Sequence, residues 1–180
     1  MGDRGARRVG LLHAATNSVA LSLYTASLLA RRRGDRGRGV ALGLAGAGVL
    51  TAGGFLGGHL SYAQGVGVDQ TTFDPGPTEW TAAADSSEVL GWEPVAKVVE
   101  DTPVLLFRDG PEIHAIHDRC SHRGCSLATG TVEGGIVECP CHGSRFDLRD
   151  GQIVRGPATT PQPSFETRER EGRVEVKRRG

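Results

Sequence analysis

The chain has 180 residues, 38% of them hydrophobic and only 5% aromatic, and its 21 basic residues cancel its 21 acidic ones. That length holds one ordinary domain with a short appendage, which excludes large multidomain enzymes. The basic residues flank hydrophobic runs and do not interleave with aromatics, which excludes a nucleic-acid surface. The glycine-rich stretch has no Lys-Ser/Thr ending and follows no strand, which excludes a phosphate-cradling loop.

The zero net charge hides an asymmetry. Residues 1–39 hold eight arginines against two acids, whereas residues 40–180 hold 13 basic against 19 acidic residues. Between the arginines lie two uncharged runs, Val9–Ala30 and Val40–Ala63, of 22 and 24 residues. Each exceeds the roughly 20 residues an α-helix needs to cross a bilayer. In the second run Gly39, Gly43 and Ala47, then Gly53–Gly57 and Gly54–Gly58, recur at four-residue intervals. Such a face suits close helix packing or helix-mediated oligomers in lipid, while glycine at that density weakens a helix in water. The expectation for residues 1–63 is therefore a transmembrane helical hairpin in contact with membrane lipid. Arg31–Arg38 contains five arginines and residues 64–96 contain no Lys or Arg, so the connection is placed in the cytoplasm and the rest of the chain outside it.

Val9-Gly-Leu-Leu-His13 and Gly57-Gly-His59-Leu60 resemble parts of a small helical membrane domain found in some bacteria, of which this region would be the latter half. That resemblance implies two absent helices and a shortened relative. His13 and His59 each lie four residues inside the outer ends of the two runs, at matching depth in an antiparallel hairpin. Imidazole suits iron, and histidines at membrane depth are functional candidates, so the pair is a candidate for haem b.

Residues 64–78, with Gly65, Gly67, Pro75, Gly76 and Pro77, read as a linker. Beyond it the pattern is β. Val95–Val99, Val104–Phe107 and Ile113–Ile116 are short apolar or alternating runs broken by Asp101-Thr-Pro103 and Asp109-Gly-Pro111. Val132–Val137 around Gly134-Gly135 reads as a tight hairpin. Asp150-Gly151 marks a turn, and Phe165–Arg170 with Val174–Val176 around Glu171-Gly172 reads as a closing hairpin. His114 and His117 take ordinary strand positions.

The chemistry is concentrated in two short boxes, Cys120-Ser-His122-Arg-Gly-Cys125 and Cys139-Pro-Cys141-His142-Gly-Ser144, which hold all four cysteines. Cys-x-His, 16 intervening residues, then Cys-x-x-His supplies two thiolates and two imidazoles, the ligand set of a centre in which two histidines replace two cysteines on one iron. A Cys2His2 zinc site uses the same ligand types, and four cysteines also allow three disulfide pairings. Neither alternative accounts for both the second cysteine in each box and the paired histidines.

Over about residues 79–179 these boxes resemble the Rieske protein family, specifically the disulfide-bearing branch known from quinol-oxidising cytochrome complexes. The resemblance implies a [2Fe-2S] cluster with Cys120 and Cys139 on the inner iron and His122 and His142 on the outer one. It further implies a Cys125–Cys141 disulfide, a Ser144 hydroxyl directed at a bridging sulfide, and a proline loop, Gly156-Pro157-Ala158, covering the cluster. Two positions depart from the quinol-oxidising pattern. Phe146 stands where high-potential members carry a sulfur-directed tyrosine, and Arg123 stands where quinol-oxidising members carry leucine.

The expected architecture is thus α+β and membrane-anchored: a hairpin over residues 1–63, a linker over 64–78 and an all-β Rieske domain over 79–180. The expected function is one-electron transfer to a redox partner protein or quinol. The alternatives are an electron-transfer subunit of a larger quinol- or oxygenase-linked oxidoreductase, and a redox sensor. No catalytic residue is recognisable. A persistent disulfide suits an oxidising compartment, so the domain is expected on the outer face of the cytoplasmic membrane.

Overall fold

The computed structural model describes residues 4–179. The chain divides between Gln64 and Gly65 into two compact units.

The first unit is a helical hairpin. α1 spans Arg4–Arg32 and α2 spans Arg36–Gly58, continued by one π-helical turn, His59–Ala63. Asp35 ends the connection and caps α2 by accepting from the Arg38 amide at 3.1 Å. The two helices approach through small residues of α2 that recur at both four- and seven-residue spacings. Gly39, Gly46 and Gly53 are the buried glycines of α2, seven apart, and they face Ser27, Leu23/Tyr24 and Asn17 of α1. A seven-residue repeat is the seam of two helices wound gently around each other. Gly43, beside Ser27, and Gly57, beside the His13 ring, also face α1, so the expected pairs Gly39/Gly43 and Gly53/Gly57 lie on the contact face, whereas Ala47 is exposed and Gly54 meets nothing within 4 Å. Ser27 completes the seam by donating to the Gly39 carbonyl at 2.6 Å.

The two histidines of the haem expectation lie in this unit. His13 packs against Gly53 and Gly57, donating from Nδ1 to the Gly53 carbonyl at 2.9 Å, while Asn17 Nδ2 donates to its Nε2 at 3.1 Å. His59 sits at the start of the π-helical turn, exposed, accepting at Nε2 from Gln64 at 3.1 Å. Of the two helices, only Arg36–Ala63 is long and apolar enough to cross a membrane, with mean hydropathy 1.7 in its best window; α1, with its serines and threonines, falls short of that test.

The second unit is all β. Its strands are β1 (Thr81–Asp85), β2 (Val95–Val99), β3 (Thr102–Asp109), β4 (Glu112–His117), β5 (Thr131–Glu133), β6 (Ile136–Glu138), β7 (Arg145–Asp147), β8 (Ile153–Arg155), β9 (Ser164–Arg170) and β10 (Arg173–Arg178). They form an antiparallel six-stranded sheet in the order β1-β10-β9-β4-β3-β2 and a four-stranded meander, β5-β6-β7-β8. The β9–β10 turn uses Glu171 and Gly172, both at positive φ (52° and 75°), the backbone twist that a two-residue hairpin requires.

β3 explains why its sequence reads as a continuous apolar run. Val104 and Leu106 enter one core with Val89, Val99, Ile113, Phe165, Val174 and Val176, while Leu105 and Phe107 enter a second with Leu127, Val137, Phe146 and Leu148. A strand buried on both faces loses its polar alternation. The second core draws on both sheets and contains Cys120 and Cys139. Residues 65–78, expected as a linker, belong to this unit and lie against it through the bonds described below.

Candidate metal centre

The two boxes fold into loops with the same backbone scheme. In the first, the Gly124 amide donates to the Cys120 carbonyl (2.7 Å) and the Cys120 amide to the Cys125 carbonyl (2.8 Å). In the second, the Gly143 amide donates to the Cys139 carbonyl (3.0 Å) and the Cys139 amide to the Ser144 carbonyl (2.8 Å). Both turns need a left-handed residue at the fifth position, supplied by Gly124 (φ 75°) and Gly143 (φ 74°). Each loop thus closes on itself and presents its first cysteine inward. Cys125 and Cys141 are joined by a disulfide, with Cα atoms 6.5 Å apart, which ties the end of one loop to the middle of the other.

Four groups are left to converge. Cys120 and Cys139 are free thiols, 1% and 2% exposed. The rings of His122 and His142 meet edge to face, centroids 4.9 Å apart. His122 is half-buried, with Nδ1 buried and without a hydrogen-bond partner, while His142 is exposed. Burial pushes the Cys120 thiol up to about 11, with nearby Cys139 adding to the effect. Burial, then the charges of His142 and Arg123, push His122 down, favouring the neutral ring. Buried thiols of this kind ionise when a cation takes the proton's place, and a neutral ring with an orphan nitrogen is ready to ligate. The donor set therefore fits an iron–sulfur cluster on chemical grounds.

Asp118, which the sequence did not single out, and Ser144, which it did, hold the loops in place. Asp118, 5% exposed, accepts from the Ala128 amide (2.7 Å) and the Ser126 hydroxyl (2.6 Å), and its carbonyl accepts from the Leu127 amide (2.8 Å), so it closes the base of the first loop. Ser144, fully buried, accepts at Oγ from the Ala158 amide at 3.0 Å, which fastens the Gly156-Pro157 loop to the second box. Phe146 is fully buried in the core that holds both free cysteines. Arg123 is exposed at the tip beside His122. A wide groove lined by Trp80, Glu112, Arg149 and Arg168 contains none of the four converging residues.

His117, at the end of β4, is fully buried and accepts at Nδ1 from the Arg119 amide at 3.1 Å, while its Nε2 has no partner. Burial, then the charge of Arg119, push it down to about 4. The unfolded chain protonates this histidine near pH 6.5 and the folded one only near 4, so its contribution is complete above pH 6.5 and declines as pH falls from 6.5 to 4. We expect a loss of about 3 kcal/mol across that window. Urea titrations at several pH values check it: the acid limb should flatten in His117→Leu, and an equally steep limb in that variant would assign the effect elsewhere.

Two buried thiols and two imidazoles delivered by disulfide-linked loops are the arrangement of a one-electron iron–sulfur carrier. Comparison with known proteins is specific. The sequence signature of the Rieske [2Fe-2S] domain matches residues 79–166. The anthranilate 1,2-dioxygenase ferredoxin subunit of Burkholderia cepacia is 40% identical over 98 residues, 54% of this chain and 91% of that subunit. The 3-phenylpropionate/cinnamic acid dioxygenase ferredoxin subunit of Escherichia coli (strain K12) is 41% identical over 69 residues, 37% of this chain and 65% of that subunit. Among solved structures, the ferredoxin of carbazole 1,9a-dioxygenase from Nocardioides aromaticivorans IC177 superimposes with a TM-score of 0.53 at 26% identity, covering 56% of this chain and 98% of that one. The chain belongs to the Rieske [2Fe-2S] family, and its β unit carries a [2Fe-2S] cluster. These relatives are dioxygenase ferredoxins and not members of the quinol-oxidising complexes that the sequence resemblance pointed to.

Proposed function

We propose that this protein is an electron-transfer ferredoxin that hands single electrons to a terminal oxygenase-type partner, with Cys120, Cys139, His122 and His142 as the cluster ligands. The observation that carries this reading is the pairing of two buried thiols with two imidazoles, one of them exposed, on a chain 40% identical to a dioxygenase ferredoxin over nearly all of that subunit. When bound, the cluster supplies one-electron redox chemistry at a potential raised by its imidazole ligands. The chain's own residues do the rest. The buried cysteines and the core around them exclude water from the inner side. His142 reaches the surface and offers the short path to a partner. Arg123, in place of an apolar tip, presents a cation there, which suits a protein surface better than a quinol pocket.

Ser144 accepts from the Ala158 amide and so keeps its own proton free to donate inward. Ser144→Ala should lower the midpoint potential, because the more negative reduced state loses a hydrogen bond, and Phe146→Tyr should raise it by adding one. Protein-film voltammetry reads both, and an unchanged midpoint in the two variants contradicts the assignment.

The helical hairpin we propose as a membrane anchor. Thr16, Ser18, Ser22, Thr25 and Thr51 each return their hydroxyl to the carbonyl four residues earlier, at 2.7–2.9 Å, which satisfies these five donors within the helices. Leu11, Leu21, Leu44 and Phe55, each at least 69% exposed within the hairpin, would face the acyl chains. The arginines of 31–38 favour a cytoplasmic connection, and the disulfide suits an oxidising compartment, so the reading puts the β unit outside the cytoplasmic membrane.

Stopped-flow mixing tests the electron-transfer reading. Dithionite-reduced protein should be reoxidised rapidly by an oxidised Rieske-type oxygenase and only slowly by a quinone analogue. Rapid quinol-dependent reduction with no transfer to the oxygenase would restore the quinol-linked alternative. A reporter fused after Gly180 should be active outside the cytoplasmic membrane, and cytoplasmic activity would reverse the topology.

A further inference from the structure

The segment ahead of the family match does not behave as a linker. Gly65 turns the chain back: its carbonyl accepts from the Val68 and Asp69 amides, both at 3.0 Å, at φ 62°, and a Cβ there would lie 2.2 Å from the Asp69 carbonyl oxygen. Asp69 then folds the next residues, accepting from the Thr71 amide (2.8 Å), the Thr71 hydroxyl (2.6 Å) and the Thr72 hydroxyl (2.8 Å), with Thr71 2% exposed. The compact turn so formed lies along the first cluster loop. The Gln70 amide donates to the Ser121 carbonyl at 2.9 Å, and the Gly67 amide to the His122 carbonyl at 3.3 Å. Val68 accepts from the Thr160 hydroxyl at 2.9 Å, and Asp74 pairs with Arg119 at 3.0 Å. Thr160 in turn accepts, at its carbonyl, from the buried Ser121 hydroxyl at 2.7 Å.

These bonds make a closed circuit from the segment through Ser121 to Thr160 and back. Flexible glycine linkers leave their amides to water. Here two amides are used on the carbonyls of Ser121 and His122, and His142, on the opposite loop, has no such cover and is the exposed ring. The family match starts at residue 79, so the segment adds to the domain that the match defines.

We propose that residues 65–74 are a positioning strap for His122: by holding the two carbonyls of its loop, the strap sets the orientation and solvent exposure of the imidazole on the outer iron, and through it the cluster's potential. This rests on the assignment of His122 as a ligand. Gly67, Gln70, Asp74 and Thr160 are positioning residues, none of them touching the cluster. Loosening the strap admits water beside His122. The reduced cluster carries the extra negative charge, and water solvates it better than packed chain does, so the potential rises.

The test uses the full-length, cluster-loaded protein in detergent. Thr160→Val removes the tie to Val68, Thr160→Ser restores it, and Gly65→Ala breaks the turn. In Thr160→Val and Gly65→Ala we expect unchanged iron and acid-labile sulfide, hydrogen exchange of the 65–74 and 120–124 amides faster by about fivefold, the equivalent of one hydrogen bond, altered electron-paramagnetic-resonance g-values and a higher midpoint potential. Thr160→Ser should return all of these to the native values. Faster exchange with g-values and potential unmoved would overturn the proposal, reducing the strap to packing. If Gly65→Ala does not fold, Thr160→Val decides alone. The ligand assignment is checked separately: His122→Ala with an unaltered Rieske spectrum would overturn that reading whatever the strap variants show.

Discussion

Replacing either His122 or His142 by cysteine should lower the midpoint potential by on the order of several hundred mV, or abolish cluster assembly. Each imidazole is a neutral ligand, and a thiolate in its place adds a negative charge to a centre that must accept an electron. The two variants should differ in severity. His122 is half-buried with an orphan Nδ1, so a shorter side chain there has little freedom to reach the iron, whereas His142 is exposed on a loop with room to adjust. Assembly is therefore expected to fail more readily in His122→Cys. Redox titration followed by visible circular dichroism reads the potential, and iron and sulfide analysis reads the assembly. Native protein that contains zinc and no labile sulfide would end the iron–sulfur reading.

Opening the disulfide has the second largest expected effect. Cys125 and Cys141 are separated by 16 positions in the chain, and closing a loop of that size contributes about 3 kcal/mol by limiting the unfolded ensemble. The loss should be more than thermodynamic, because no other covalent tie joins the two ligand loops among the described residues. Cys125→Ser combined with Cys141→Ser should lower the guanidinium midpoint and steepen the slope, because the opened chain exposes more surface when unfolded, and should shorten the lifetime of the cluster's visible spectrum in air. The double replacement avoids a lone reactive thiol beside Cys139, whose sulfur lies within 4.8 Å of both partners. A variant with native midpoint and native lifetime would show that hydrogen bonding within the loops suffices to hold them.

The sequence by itself determined the chemistry of this protein and much of its β topology. A cluster's ligands come from two contiguous boxes, so residue type and spacing state the donor set before any folding is considered. Hairpins are equally local: Gly134-Gly135 and Glu171-Gly172 carry positive φ, and such turns bring neighbouring strands together wherever they occur. β1 was not legible, because its three alanines are weak strand formers and become a strand only by pairing along β10. β7 and β8, at three residues each, are too short to show alternation and depend on the meander around them.

What only the tertiary structure decided are the pairings between groups that the sequence keeps apart. An aspartate such as Asp118 is an ordinary polar residue until folding brings the Ala128 amide to its carboxylate, ten residues on. His13 at its depth in the helix suggested iron, and only the fold sets its ring beside a glycine carbonyl 40 residues away and beside Asn17. The glycines of α2 contain both four- and seven-residue spacings, and only the docking of α1 brings Gly39, Gly43, Gly46, Gly53 and Gly57 against its side chains while Gly48 and Gly54 meet nothing within 4 Å. Residues 65–74 have the composition of a linker, and their amides become a strap because the Ser121 and His122 carbonyls stand unmet beside them. Local chemistry is written in neighbouring residues, whereas hydrogen-bond satisfaction is a property of the whole buried surface and is resolved when the chain closes on itself.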